Sequence, residues 1–164
     1  MERLIRLAYE TDLYHFVQWF FIYSFLGWLV ESIYMSICNR KLTNRGFAFS
    51  PFCPIYAVGA LSVYAILKPL SGNWLLLYLA GAVLATTLEY VTALVMQHFF
   101  GAVWWDYRDK PFNYRGVICL ESTIAWGFYT VFMFAFLHRF VQTAARSYPV
   151  SAGSFLAGTV ILIY

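Results

Sequence analysis

Apolar residues run through this chain in long blocks, and short polar clusters separate them. Five blocks stand out, at 16–38, 54–70, 74–100, 118–141 and 150–164. A helix that crosses a bilayer needs about 20 predominantly apolar residues. The pattern therefore predicts an all-α fold, a polytopic transmembrane helix bundle of about five spans in one integral membrane domain, 1–164. Only Ser71, Gly72 and Asn73 separate the second block from the third, which predicts a tight helical hairpin. The fifth block is still apolar at Tyr164 and too short there to cross, so either the natural chain continues, which is the favoured reading, or the segment lies shallow in the membrane. The first block is too long for the core of a signal peptide and lacks a small-x-small cleavage pattern, so it is expected to stay as a span.

Composition narrows the class. The chain is 62% hydrophobic and only 12% charged, more apolar surface than a soluble domain of 164 residues could cover. Its net charge of +3 is too small and too scattered for nucleic acid, so membrane lipid is the expected surrounding partner. Basic residues fall beside the predicted helix ends. Five lie on one side (Arg3, Arg6, Lys68, Arg139, Arg146) and six on the other (Arg40, Lys41, Arg45, Arg108, Lys110, Arg115). That near-balance leans to a cytoplasmic N-terminus only if Arg45 and Arg115 are structural. Cys38, Cys53 and Cys119 form no C-x-x-C pair and read as small apolar residues. His15, His98 and His138 lie singly and read as interfacial anchors. No metal-ligand spacing links them to the acids, and neither a metal nor a cofactor is predicted.

Three carboxylates interrupt the apolar blocks: Glu31, Glu89 and Glu121. An ionisable group at bilayer depth costs several kcal/mol, so it is turned inward, given a partner, and marks a site by default. Gly27 stands four residues before Glu31, and Gly81 and Ala85 precede Glu89 at steps of four. Small residues at that spacing make a helix face on which a neighbouring backbone can approach, so these acids are expected on protein-facing seams and close to one another. Glu121 and Ala125 repeat the spacing more weakly. At a rise of 1.5 Å per residue, Glu31 lies about 10 Å from the loop-side end of its helix, Glu89 about 16 Å and Glu121 about 5 Å. Glu89, the deepest, is expected to matter most, and Glu121 to border the site.

The segments 39–53 (NRKLTNRGFAFSPFC) and 101–117 (GAVWWDYRDKPFNYRGV) are unlike ordinary loops, being rich in aromatics together with Pro, Gly, Asn and Arg. Trp104, Trp105 and Tyr107 fit the interfacial aromatic belt. Either the loops rest at the headgroups or they fold back over the bundle, as irregular backbone does only where protein shields it. In the second case Asn44, Arg45, Asp106 and Asn113 build a lid over the carboxylates. Each half of the chain also runs helix, acid, Asn-containing loop, helix, the outline of a parallel two-helix repeat that would put both loops on one membrane side.

Neither G-x-S-x-G, H-E-x-x-H nor G-x-x-x-x-G-K-[ST] occurs, so no catalytic or nucleotide-binding chemistry is readable. At GWLVES, NRGFAFSPFCPIYAVG, WWDYRDKPFNYRGVICLES and AWG the chain resembles a bacterial family of small membrane proteins, the ABC-transporter type IV or CmpB-like permease family. It departs from that family's pattern at Ser50 and Ala57 (glycine there), at Arg108 (a small polar residue) and at Val117 (arginine). The resemblance implies a multi-pass protein of the cell membrane acting as the permease component of a transport system. With no Walker motif in the chain, ATP hydrolysis is expected from a separate ATP-binding subunit, and a homo-oligomer is the other partner expected. A non-transporting accessory protein that binds a partner subunit or lipid headgroups, and a membrane-embedded enzyme, are the alternative readings.

Overall fold

The computed structural model describes residues 12–46, 50–101 and 103–163. Arg3, Arg6 and Tyr164, on which the expectations about the two chain ends rest, lie outside the described residues. The described chain is all-α. Helix α1 is Asp12–Asn39, α2 is Pro54–Leu67, α3 is Trp74–Phe100, α4 is Leu120–Arg146 and α5 is Val150–Ile163.

Local chemistry sets the helix ends. Pro54 opens α2, where its missing N–H and fixed φ cost nothing. A 3₁₀ turn, Lys68–Leu70, closes that helix at Pro69. The Asn73 side chain caps α3 by accepting from the Leu76 N–H at 3.0 Å. At its other end Gly101, at φ 69°, supplies the left-handed cap that glycine takes without strain. Cys119 and Ser122 form a reciprocal capping box at the start of α4. A π turn, Met133–Leu137, interrupts α4 without ending it.

The chain divides into two compact units, Met1–Leu61 with His138–Tyr164, and Ser62–Leu137. In the first, α1 packs on α5 and on the last turns of α4. Gln18, buried on α1, donates to the Gly153 carbonyl at 3.3 Å and accepts from the Tyr148 hydroxyl at 2.8 Å. In the second unit, α3 lies along the first half of α4. Gly81 fits against Thr130 so closely that a Cβ would come within 2.5 Å of the threonine side chain, and Thr86 bonds Thr123 at 3.0 Å.

His138 corrects one expectation. Its helix does not end near Val141 but continues to Arg146. The histidine is buried, hydrogen-bonded through Nδ1 to the Tyr23 hydroxyl at 3.0 Å and packed edge-on against Trp19. The stretch His138–Arg146 is too polar to register as an apolar block, yet it is amphipathic: His138, Val141 and Ala145 all turn inward.

Polarity is distributed inside out. Gln18, Ser24, Glu89, Thr130 and His138 are buried, whereas Val30, Ile37, Val83 and Phe128 are more than 60% exposed. On α4 the exposed side chains Ile124, Phe128, Phe132 and Phe136 recur every four residues. A water-facing helix would not carry such a face; one bathed in acyl chains must. Three helices, Tyr14–Asn39, Trp74–Phe100 and Leu120–Arg146, are long and apolar enough to cross a membrane, and two shorter apolar ones accompany them. The protein is membrane-embedded.

Candidate functional site

Each compact unit holds one of the predicted acids in a pocket of donors. In the first unit the last three turns of α1 strap down the loop that follows. Ser32 accepts from the Arg45 N–H at 3.1 Å and Ser36 from the Thr43 N–H at 2.9 Å. Trp28 Nε1 donates to Asn44 Oδ1 at 2.6 Å, and that oxygen also takes the Gly46 N–H at 2.9 Å. Trp28, Ser32 and Ser36 stand four residues apart, so one helical face makes all these contacts. The strapping delivers Arg45 to Glu31, where Nε donates to Oε1 at 3.3 Å. The second oxygen of Glu31 accepts from the Tyr56 hydroxyl on α2. Tyr56 can approach α1 because Gly27, one turn before Glu31, has no side chain to meet its ring.

Beside this pair lies Cys53, buried, its N–H donating to the Ser24 carbonyl at 2.9 Å. Burial first, and the Glu31 carboxylate second, push its thiol up to about 11. Cys38 is exposed at the end of α1 and Cys119 is buried. A water-soluble maleimide at neutral pH is therefore expected to label Cys38 and spare Cys53 and Cys119. Rapid labelling of Cys53, read by mass spectrometry, would show that Cys53 does not stay packed on α1.

In the second unit Glu89 is 9% exposed on the seam of α3 that includes Gly81 and Ala85. Its Oε1 accepts from the Tyr107 hydroxyl at 3.0 Å. Its Oε2 accepts from Trp126 Nε1 at 3.1 Å and lies 3.2 Å from the Ser122 hydroxyl. Glu89 forms none of the ion pairs among the described residues. The site thus presents a buried carboxylate held by three neutral donors. Such a group keeps an uncompensated negative charge, or takes up a proton or a cation.

Glu121 is placed differently. It projects to the surface at the start of α4 and pairs with Lys110 at 2.9 Å, both side chains largely exposed. Its neighbour Ser122 turns toward Glu89 instead. Asp106 grips Arg108 with both oxygens, at 2.5 and 3.0 Å, and that guanidinium holds its carboxyl below the usual range. Asn113 organises the loop, donating to the Lys110 and Arg108 carbonyls at 2.8 and 3.2 Å and accepting from the Gly116 N–H at 3.1 Å. Of the predicted lid residues, then, Arg45 touches a carboxylate of the site, whereas Asn44, Asp106 and Asn113 shape the loops that carry the donors. Among the described residues no three His, Cys, Asp or Glu side chains gather to hold a metal ion.

Tyr56, Tyr107, Ser122 and Trp126 escaped the sequence reading as site residues. Each stands in one of the strings PIY, WDY, LES and AWG that carry the family resemblance, which is the one signal that could have found them. The two units also share a plan. An acid on the first helix takes one donor from the following loop and another from the next helix, and an Asn side chain in the loop accepts from a glycine N–H two or three residues on.

A family model described as "Putative ABC-transporter type IV" matches residues 18–164, and with them every residue of both sites. The chain belongs to that family. No curated protein and no solved structure matches it. For this ABC-transporter type IV chain, the matched segment runs through both loops and all five donors, so family membership and the two carboxylate sites rest on the same residues.

Proposed function

We propose that this chain is the permease-like component of an ABC-type transport system, one multi-pass integral domain (1–164) of the bacterial cell membrane. Glu31 and Glu89 serve as substrate-binding or coupling groups, each in its own unit. Asn44, Arg45, Asp106 and Asn113 build the loops that cap them. Glu121, paired with Lys110, borders the second site from the surface. The observation that carries the reading is Glu89, a buried carboxylate with three neutral donors and no ion pair among the described residues. A group that only locked helices together would be better served by an apolar or a neutral hydrogen-bonding side chain, because an unneutralised charge is costly in hydrocarbon. Family membership directs that chemistry to transport. The chain has no nucleotide-binding motif, so an ATP-hydrolysing subunit would be a separate partner, and self-association would complete the assembly.

Purification of the tagged full chain from its native membrane tests this. An ATP-hydrolysing subunit is expected to co-purify, with ATPase activity in proteoliposomes that depends on the chain. Recovery of the intact chain with no nucleotide-hydrolysing partner, after mild cross-linking, would overturn the transport reading in favour of an accessory role.

A further inference from the structure

The loop after α3 encloses a cleft that the carboxylate reading does not use. It has a volume of about 660 Å³, and its lining mixes two kinds of surface. Leu94, Val103 and Val117 are apolar, while Trp104, Arg108 and Arg115 are aromatic or cationic. Leu94 lies six residues inside the end of α3, about 9 Å of helix rise. The lining therefore reaches from the membrane helix into the loop, the level at which acyl chains give way to headgroups and Trp and Arg are the favoured residues.

Charge points to the ligand. Arg108 is clasped by Asp106, but Arg115 forms no ion pair among the described residues and rests over the Tyr114 ring at 5.5 Å. Two guanidinium groups against one carboxylate leave the lining net positive. Arg115 is also held at φ 55°, the left-handed region that non-glycine residues avoid. The Gly116 N–H donates to Asn113 Oδ1 and the Tyr107 N–H to the Gly116 carbonyl, and these bonds keep the turn in that shape. Backbone strain retained to present a charged side chain is a mark of use. The indole of Trp105 is fixed in the wall by its bond to the Val117 carbonyl at 2.8 Å.

We propose that this cleft binds an anionic phospholipid, its phosphate diester on Arg115 and Arg108 and its glycerol-ester shoulder against Trp104 and Leu94. A zwitterionic headgroup brings its own ammonium and gains less from a cationic lining. A soluble phosphate ester offers nothing to the apolar side chains. The site is independent of the transport reading and stands or falls without it.

Native mass spectrometry of the detergent-solubilised full chain, titrated with short-chain phosphatidylglycerol or phosphatidylcholine, tests the assignment. Phosphatidylglycerol is expected to bind more tightly. Arg115→Gly suits the backbone, so it should keep the melting temperature yet weaken phosphatidylglycerol about five- to tenfold. Phosphatidylcholine, whose ammonium already offsets its phosphate, should weaken less, and Lys68→Gln should have no effect on either lipid. Should Arg115→Gly lower the melting temperature, Arg115→Lys decides, because restoring the charge is expected to restore most of the binding. Equal affinity for the two lipids, undiminished binding by Arg115→Gly, or no restoration by lysine would overturn the site. Displacement of the lipid by an equal concentration of glycerol phosphate would assign the cleft to a soluble phosphate ester instead.

Discussion

Glu89→Gln is expected to leave the protein folded and inserted while lowering the coupled ATPase activity about a hundredfold, the scale on which a positioned proton-transfer group acts. The geometry explains why folding should survive. A glutamine carbonyl oxygen in the place of Oε2 still accepts from Trp126 Nε1 and Ser122. Its amide then faces the Tyr107 hydroxyl, which can rotate from donor to acceptor. The exchange therefore strands no buried polar atom, and the stability change should stay within about 1 kcal/mol. What is lost is the titratable charge. Glu121→Gln is the matched control. It removes a surface ion pair worth about 0–1 kcal/mol, and its effect on activity should be slight. Expression, melting temperature and ATPase rate of the reconstituted complex separate the outcomes. A Glu89→Gln protein as active as wild type would mean that the carboxylate charge is not used, and that the acid is held for packing alone.

Among the described residues the number and order of the helices were legible, because a bilayer favours long apolar blocks; five blocks became five helices, three of them long enough to cross. The seam of Gly81, Ala85 and Glu89 was legible for the same kind of reason, since small residues at helical spacing on a membrane helix have few other uses. The donors around the acid were not. Aromatic residues make up 21% of the chain, so Tyr107 was absorbed into the interfacial belt and nothing in spacing separated Tyr56 or Trp126 from their neighbours. Glu121 shows a second limit. Successive residues on a helix differ by about 100° in direction, so the choice between Glu121 and Ser122 depends on where the helix starts. The capping box between Cys119 and Ser122 sets that start, aims Ser122 at Glu89 and leaves Glu121 beside Lys110. His138 shows the third. A polar stretch that continues a membrane helix is invisible to hydropathy, although its amphipathic spacing of His138, Val141 and Ala145 was there to be read.

Gly81→Ala is expected to destabilise the protein by about 1–3 kcal/mol, the usual cost of overfilling a packed seam. The same substitution at Gly59 should be neutral or slightly stabilising. Alanine is the better helix former at either position, by about 1 kcal/mol, so propensity alone predicts a gain in both. Packing decides between them. At Gly81 a new Cβ would come within 2.5 Å of Thr130 Cβ and Oγ1, atoms near the root of a β-branched side chain that cannot swing aside. At Gly59 a new Cβ meets nothing within 4 Å. Thermal unfolding of the two single variants in detergent supplies the comparison, and Thr130→Gly supplies the coupling. The double variant should lose clearly less stability than the sum of its parts, because removing the threonine side chain vacates the space that the added methyl group needs. The consequence reaches the site. Glu89 lies two turns beyond Gly81 on the same face of α3, and its Trp126 and Ser122 donors lie one and two turns before Thr130 on α4. If Gly81→Ala is as stable as wild type, the two helices do not close at this seam, and the donor pocket around Glu89 goes with it.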